Sequence, residues 1–415
     1  MSESRSALLR PMWLVLLAAA GTFAVTMGAR QSMGLFLGNI NSSTGLGLAS
    51  ISLAFAFGQL WWGLTQPLAG IVADRWGPAR VLVLGVILVA AGTLLIPFMK
   101  TTAGLILAIG VLAAGGAGMA GPAVLMAAAT RLVAPEKRAF ASGVVNAGGS
   151  FGQFLFAPIA QAVTSAAGWV AGLQTLGLVA LLALPAAWVL RKPAVAAAPP
   201  GAAPVKRETT KQAIARALAD PSYRLLAAGF FVCGFHVAFL ATHLPGVVAS
   251  CGLPPEVGAW SLAMLGLFNI MGSLGIGALM GWKNGRLPMK KLLSAIYAAR
   301  GVAVLIFLFA PKTTAVMLVF AAVMGLTYLS TVPPTAGLVA RFFGPAHMAT
   351  LFGLIMVSHQ LGGFLGAWLG GKAFESFGSY DWMWIADILL AAAAALLHLP
   401  IREQRPALQP AAAAA

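Results

Sequence analysis

The stretch "RLVAPEKRAFASGVVNAGGSFGQFLFA", residues 131–157, returns in altered form as "RFFGPAHMATLFGLIMVSHQLGGFLGA", residues 341–367. At a constant offset of 210, Arg131 meets Arg341, Pro135 meets Pro345 and Gly143 meets Gly353. Gly152, Phe154 and Ala157 then meet Gly362, Phe364 and Ala367 with no gap between. Shared apolar composition does not align a proline, two glycines and an arginine over 27 residues. The chain therefore reads as one plan written twice.

Each copy is built for a bilayer. The 415 residues are 60% hydrophobic and only 9% charged, with a mean hydropathy of +0.90, whereas soluble domains carry about 25% charged residues. Twelve apolar spans can be marked, at about 12–39, 48–72, 80–99, 102–132, 139–164, 168–190, 222–248, 257–282, 291–310, 313–341, 347–372 and 380–400. Most are long enough to cross a hydrocarbon core of roughly 30 Å as helices. The expected fold class is an all-α polytopic membrane protein, with 12 transmembrane helices in two six-helix bundles. Its parts are a first bundle over 1–191, a linker with a short surface helix over 192–221, a second bundle over 222–402 and a disordered tail over 403–415. The linker is Pro/Ala-rich at its start and polar after it, as connecting segments are.

The net charge of +16 could suggest nucleic acid, but its placement argues otherwise. With the N-terminus inside, 21 of the 26 basic residues fall on cytoplasmic segments and three, Lys100, Lys312 and Lys372, on the opposite loops. The positive-inside rule sets this orientation. Both termini are expected in the cytoplasm of a multi-pass protein of the bacterial inner membrane, and no nucleic-acid partner is expected. The apolar run after the N-terminus continues to about Ile40, too long for a signal-peptide core, so the first span is retained. Cys233 and Cys251 lie 18 residues apart on one expected helix, about 27 Å along its axis, too far for a disulfide. No metal-ligand cluster, nucleophile–base set or cofactor motif is found, so an enzyme is not expected and no cofactor or metal is called for. Parallel six-helix repeats place a site near the midplane between the halves, reached alternately from each side. That is a transporter's architecture.

Between the second and third spans stands "GIVADRWGPARVLVLG", residues 70–85. It resembles the signature loop of the major facilitator superfamily, with Gly70, Asp74, Arg75, Gly77 and Arg80 at the motif positions. The resemblance implies a gating latch in which Asp74 is the acid and Arg75 and Arg80 its basic partners. The matching loop of the second half, "GALMGWKNGRLPMKK", lacks the acid.

One charge interrupts the first span, Arg30 in "AGTFAVTMGARQSMGLFLG". A guanidinium inside a membrane helix costs about 2.5–3.5 kcal/mol on insertion scales, so it needs a reason to be there. Water or an anion in a cavity supplies one. "GARQSMGLFL" resembles the first helix of monocarboxylate porters, which carry a Lys at this place, and "KRAFASGVVNAGGSFG" resembles their fifth-span entry. The likeness extends to oxalate–formate-type organic anion transporters. It implies carriage of a small organic monoanion by alternating access, with Arg30 as the charged partner. Those porters place an Asp/Arg pair on the eighth span, where this chain has Asn269 and Ser273 in "GLFNIMGSLGIGAL". No acid falls in a cavity position, so H+ coupling stays open, with His236, His243 and His359 as the proton carriers on offer.

Polar residues on consistent helical faces complete the expected substrate site. They are Gln31, Gln59 with Trp62 and Gln66, Asn146 with Ser150 and Gln153, His236, Asn269, and His359 with Gln360. Arg300 and Asp387 lie at similar depths on the ninth and twelfth spans and are expected to form a buried structural ion pair that neutralises both. The working unit is expected to be a monomer. The rival reading is drug or small-metabolite efflux by proton antiport. Relatives of that kind carry an arginine in the fourth span, where this chain has "LILAIGVLAAGGAG".

Overall fold

The duplicated segment forms two matched helices, Arg138–Ala167 and Met348–Phe377, each of 30 residues and 210 positions apart at both ends. Both end on a glycine with positive φ, Gly168 at 87° and Gly378 at 67°, again 210 apart. A Cβ is disfavoured in that left-handed region, so glycine lets the chain turn sharply into the next span. The computed structural model that shows this describes residues 11–134, 137–191, 209–281, 287–344 and 348–403, with the backbone alone at Asp74, Ala139, Thr210 and Ala349.

Among the described residues, twelve helical spans follow one another in order. Eleven are long and apolar enough by composition: Met12–Thr44, Leu48–Ala73, Pro78–Phe98, Thr102–Leu132, Trp169–Val189, Pro221–Ser250, Pro255–Gly281, Met289–Phe309, Thr314–Phe343, Thr350–Phe377 and Asp381–His398. The fifth, Arg138–Ala167, falls short because Asn146, Ser150, Gln153, Gln161 and its glycines dilute the apolar run. Its length and its place in the repeat still make it a span. Among the described residues there is no β-strand.

The repeat extends to the irregularities. The fourth span is capped by Thr101, whose hydroxyl accepts from Gly104 N–H, and the tenth by Thr313, which accepts from Val316 N–H. Both spans then break in mid-course. The fourth is interrupted between Met119 and Pro122, the tenth between Thr327 and Val332. Pro122 and the Pro333–Pro334 pair lack the N–H groups that would continue the helices.

Within each half the same pairs pack, the first span on the fifth and the seventh on the eleventh. Glycine sets the distance. Any Cβ on Gly152 would run into the Ala24 carbonyl, and any on Gly362 into that of Phe231. Between the halves, the second span packs on the eleventh and the fifth on the eighth, a swap that the two-fold plan demands. These contacts lie at mid-depth or toward the face opposite the termini. There Glu375 accepts from Ala49 N–H at 2.9 Å, and Ser165 donates to Glu256 at 3.2 Å. Toward the face carrying the termini, Gly70, Gly143, Gly275 and Gly353 on these four spans meet nothing within 4 Å. Among the described residues, the hydrogen bonds that join the halves lie at mid-depth or at the far face.

The linker helix, Thr210–Ala219, starts with a capping box in which Thr209 and Gln212 satisfy each other's orphan N–H groups. Its Ala213 and Ala217 are fully buried, small enough to lie flat on the second half.

Candidate functional site

The first span stops being an α-helix at Gln31, and a 3-10 turn follows over Met33–Phe36. Ser32 donates its hydroxyl to the Gly28 carbonyl at 2.8 Å, which closes one end group. The remaining carbonyls leave partial negative charge at this terminus, which favours a cation in the last turn. Arg30 is that cation. Its side chain is half-buried and lines a cavity.

The cavity walls come from five spans. Arg30, Gln31 and Gly34 belong to the first span and Phe55, Gly58 and Gln59 to the second; Thr93 lies on the third, Ile109 on the fourth and Thr242 on the seventh. Around Ile109 the fourth span winds as a π-helix, Ile106–Ala113, a form that recurs at functional sites because it displaces a wall residue. Gly34 lies so close to the Ala241 carbonyl that any Cβ there would collide. The seventh span thereby seals the far side. The space is mostly the first half's, closed by one span of the second, rather than an even seam between the two.

Arg30 donates from Nη2 to Gln59 Oε1 at 2.5 Å, and its guanidinium carbon sits 4.9 Å from the centre of the Trp62 ring. No carboxylate among the described residues pairs with it. The cation is thus held by a neutral amide and an aromatic face, with donors left over. Gln31, buried beside it, approaches the Tyr328 side chain, which reaches over from the tenth span and lies within electrostatic range of Arg30.

The other expected ligands scatter. Gln360 packs its side chain on Gly63, and its amide nitrogen has no partner. Gln153 is 2% exposed, with its amide nitrogen also unpartnered, at the seam with Gly266. Asn269 donates to Ser150 at 2.8 Å and accepts from Leu329 N–H at 3.0 Å, so it joins the halves and closes the tenth-span break instead of lining the cavity. Asn146 is exposed near the terminal face. His359 packs against Phe230, ring centres 4.9 Å apart. His243 bonds the Ala367 carbonyl at 2.7 Å.

Two expectations need correction. His236 turns into the second half's core rather than the cavity, its Nε2 lying 3.3 Å from Asp387 Oδ1 and 3.1 Å from Asp387's own carbonyl. Arg300 and Asp387 do not form the direct ion pair, since no guanidinium nitrogen comes within 4.0 Å of the carboxylate. Arg300 instead donates from Nη2 to the carbonyls of Thr327 and Tyr328, which the tenth-span break has left without helical partners. Equal depth brought the two residues to one layer; the direction each helix points them kept them apart.

At the signature loop, Gly77 holds φ of 92° and ψ of 148° between two helices. That geometry explains the glycine. Gly70 lies one to two turns before it, Arg75 stacks over Trp76 at 5.9 Å, and Arg80 is exposed. The Asp74 side chain, and with it the latch, lies outside the described residues.

The sequence profile of the Major Facilitator Superfamily matches residues 13–313 and 279–415. The chain belongs to that superfamily. This major facilitator is 25% identical over 391 residues to "Monocarboxylate transporter 13" of Rattus norvegicus, across 94% of this chain and 89% of that one. It is 24% identical over 380 residues to "Oxalate:formate antiporter" of Oxalobacter formigenes, across 89% and 87%. A solved bacterial homolog of the human lysosomal transporter Spinster superposes with a TM-score of 0.73, covering 94% of both chains at 16% identity. That last likeness concerns the fold alone. The protein is a multi-pass membrane transporter and not an enzyme.

The residue that sequence reasoning missed is Tyr328. A signal existed: one of only four tyrosines in the chain stands five residues before Pro333–Pro334, where a span must break.

Proposed function

We propose that this major facilitator carries a small organic monoanion, a monocarboxylate, across the bacterial inner membrane by alternating access, with both termini in the cytoplasm. The observation that carries the reading is Arg30, a cation in a cavity with a neutral amide as its hydrogen-bond partner. A guanidinium presents a planar fork of donors that fits a carboxylate with two parallel bonds. A single such cation offsets one negative charge, which favours a monoanion over a dianion. A relative named for monocarboxylates, and one named for oxalate and formate, support a small carboxylate as the substrate class, with formate the monoanion among those names.

The orientation rests on the concentration of basic residues on the terminal face. The test is uptake into proteoliposomes of a labelled panel: formate, lactate, oxalate, an amino acid and a lipophilic cation. Uptake of formate or lactate well above the last two is expected. Transport of the lipophilic cation alone would overturn the reading.

A further inference from the structure

Ten acidic residues stand in the chain, and among the described residues Asp387 alone lies deep in the interior of a span. It sits six residues into Asp381–His398, about 9 Å along the helix from the far face, and is 0% exposed. A buried carboxylate ordinarily collects several donors or a close cation. This one has neither. Neither of its oxygens has a well-formed hydrogen bond, and its nearest titratable neighbour is the His236 ring at 3.3 Å.

Arg300 is 1% exposed and within electrostatic range of Asp387, yet it is turned to the span-ten carbonyls and leaves Nε and Nη1 without partners. His236 Nδ1 is unpartnered as well. The titratable groups facing this cluster are Cys233 from the seventh span, 3.8 Å from Arg300 Nη2; Tyr297 from the ninth, its hydroxyl donating to Gly229; Tyr328 from the tenth; and His359 from the eleventh. A buried pair kept for stability closes its hydrogen bonds, because an open one is costly. Here the charges stand near each other with room on the carboxylate for one more hydrogen.

We infer that Asp387 is a proton-binding site, with the His236 ring lying against its carboxylate and Arg300 as the fixed opposing charge. With Asp387 ionised the cluster is neutral; with one proton added to a carboxylate oxygen it carries a net positive charge, because a guanidinium does not deprotonate. The break in the tenth span ties this site to the anion site. Arg300 bonds the Tyr328 carbonyl at 2.6 Å, and the Tyr328 ring extends to the neighbourhood of Arg30 and Gln31. A proton-loaded cluster therefore favours an anion across the break, and an anion favours the proton by reciprocity. This coupling rests on the anion reading of Arg30; the proton site itself does not.

Infrared difference spectra of the substrate-free protein in lipid nanodiscs, titrated with pH, test the site directly. A buried carboxylic-acid C=O band is expected to grow as pH falls and to be missing in Asp387→Asn. The same band in the variant, or none in the wild type, overturns the proposal. Should Asp387→Asn not fold, His236→Gln serves instead: a band that appears at a different pH supports the pair, and an unmoved band sinks it. In proteoliposomes, Asp387→Asn is expected to keep exchange of labelled for unlabelled lactate while losing at least tenfold in accumulation driven by a pH gradient. Retained accumulation, or loss of exchange by a folded variant, overturns the coupling. A wild type that shows the titrating band but moves no carboxylate leaves the proton site standing and refutes the anion reading.

Discussion

Two arginines interrupt the spans, and the molecule treats them differently. Arg30 borders a cavity, half-buried, with Gln59 as its hydrogen-bond partner. Arg300 is 1% exposed and is fastened to two carbonyls that the tenth span's break has freed. Each side chain costs about the same to place in a membrane. What differs is where that cost is met. Backbone carbonyls cannot leave, so Arg300 is part of the scaffold. A side-chain amide can swing aside, so Arg30 keeps donors free for something that arrives and departs.

The largest effect expected from this contrast is on stability, at Arg300. Arg300→Ala orphans the Thr327 and Tyr328 carbonyls and leaves Asp387 without its opposing charge. Breaking such a buried arrangement costs about 3–5 kcal/mol. Thermal unfolding in detergent is expected to shift down sharply, with poor recovery of folded protein. Arg30→Ala is expected to leave the unfolding midpoint within a few degrees and to cut monocarboxylate uptake roughly 100-fold, the worth of two charge-assisted hydrogen bonds. Arg30→Lys keeps the charge but loses the fork, and about a tenfold reduction is expected. The reverse pattern, a stable Arg300→Ala and an unfolded Arg30→Ala, would break the contrast.

The same two residues show what the sequence could and could not convey. The fold was legible because its evidence is local along the chain: apolar runs, a repeat at offset 210 and breakers at matched places. The fifth span, marked among the apolar runs, also lies inside the repeat. Arg30 was legible because a charge in an apolar run stands out and because its position near a helix end could be counted. Arg300 and Asp387 could be assigned a depth, since rise per residue converts position into height. Their facing could not be read. The ninth and twelfth spans are apolar on nearly every side, so no amphipathic stripe fixes which way a residue points. His236 was misplaced for the same reason, on a seventh span most of whose residues are buried all round. Tyr328 acts through the main chain of a broken helix, and side-chain patterns carry little trace of that.

Gln59 sharpens the contrast, because it is the residue that keeps Arg30 from resembling Arg300. Gln59→Glu replaces the neutral oxygen with a carboxylate 2.5 Å from the guanidinium. The cation would then be matched permanently, and anion affinity is expected to fall at least tenfold even though Arg30 is still present. If affinity is unchanged, a free positive charge is not what binds substrate.

Gln59→Leu removes the oxygen without adding charge, and the smallest effect is expected there. One neutral partner to a guanidinium is worth about 1 kcal/mol net, while Trp62 at 4.9 Å still holds the group from one face. Affinity for the transported carboxylate, measured by isothermal titration, is expected to weaken about fivefold. A tighter complex would mean the amide competes with the substrate for the guanidinium instead of aiming it. A loss as deep as that of Gln59→Glu would mean the amide itself contacts the anion, and the cavity's recognition would then rest on a pair rather than on one arginine.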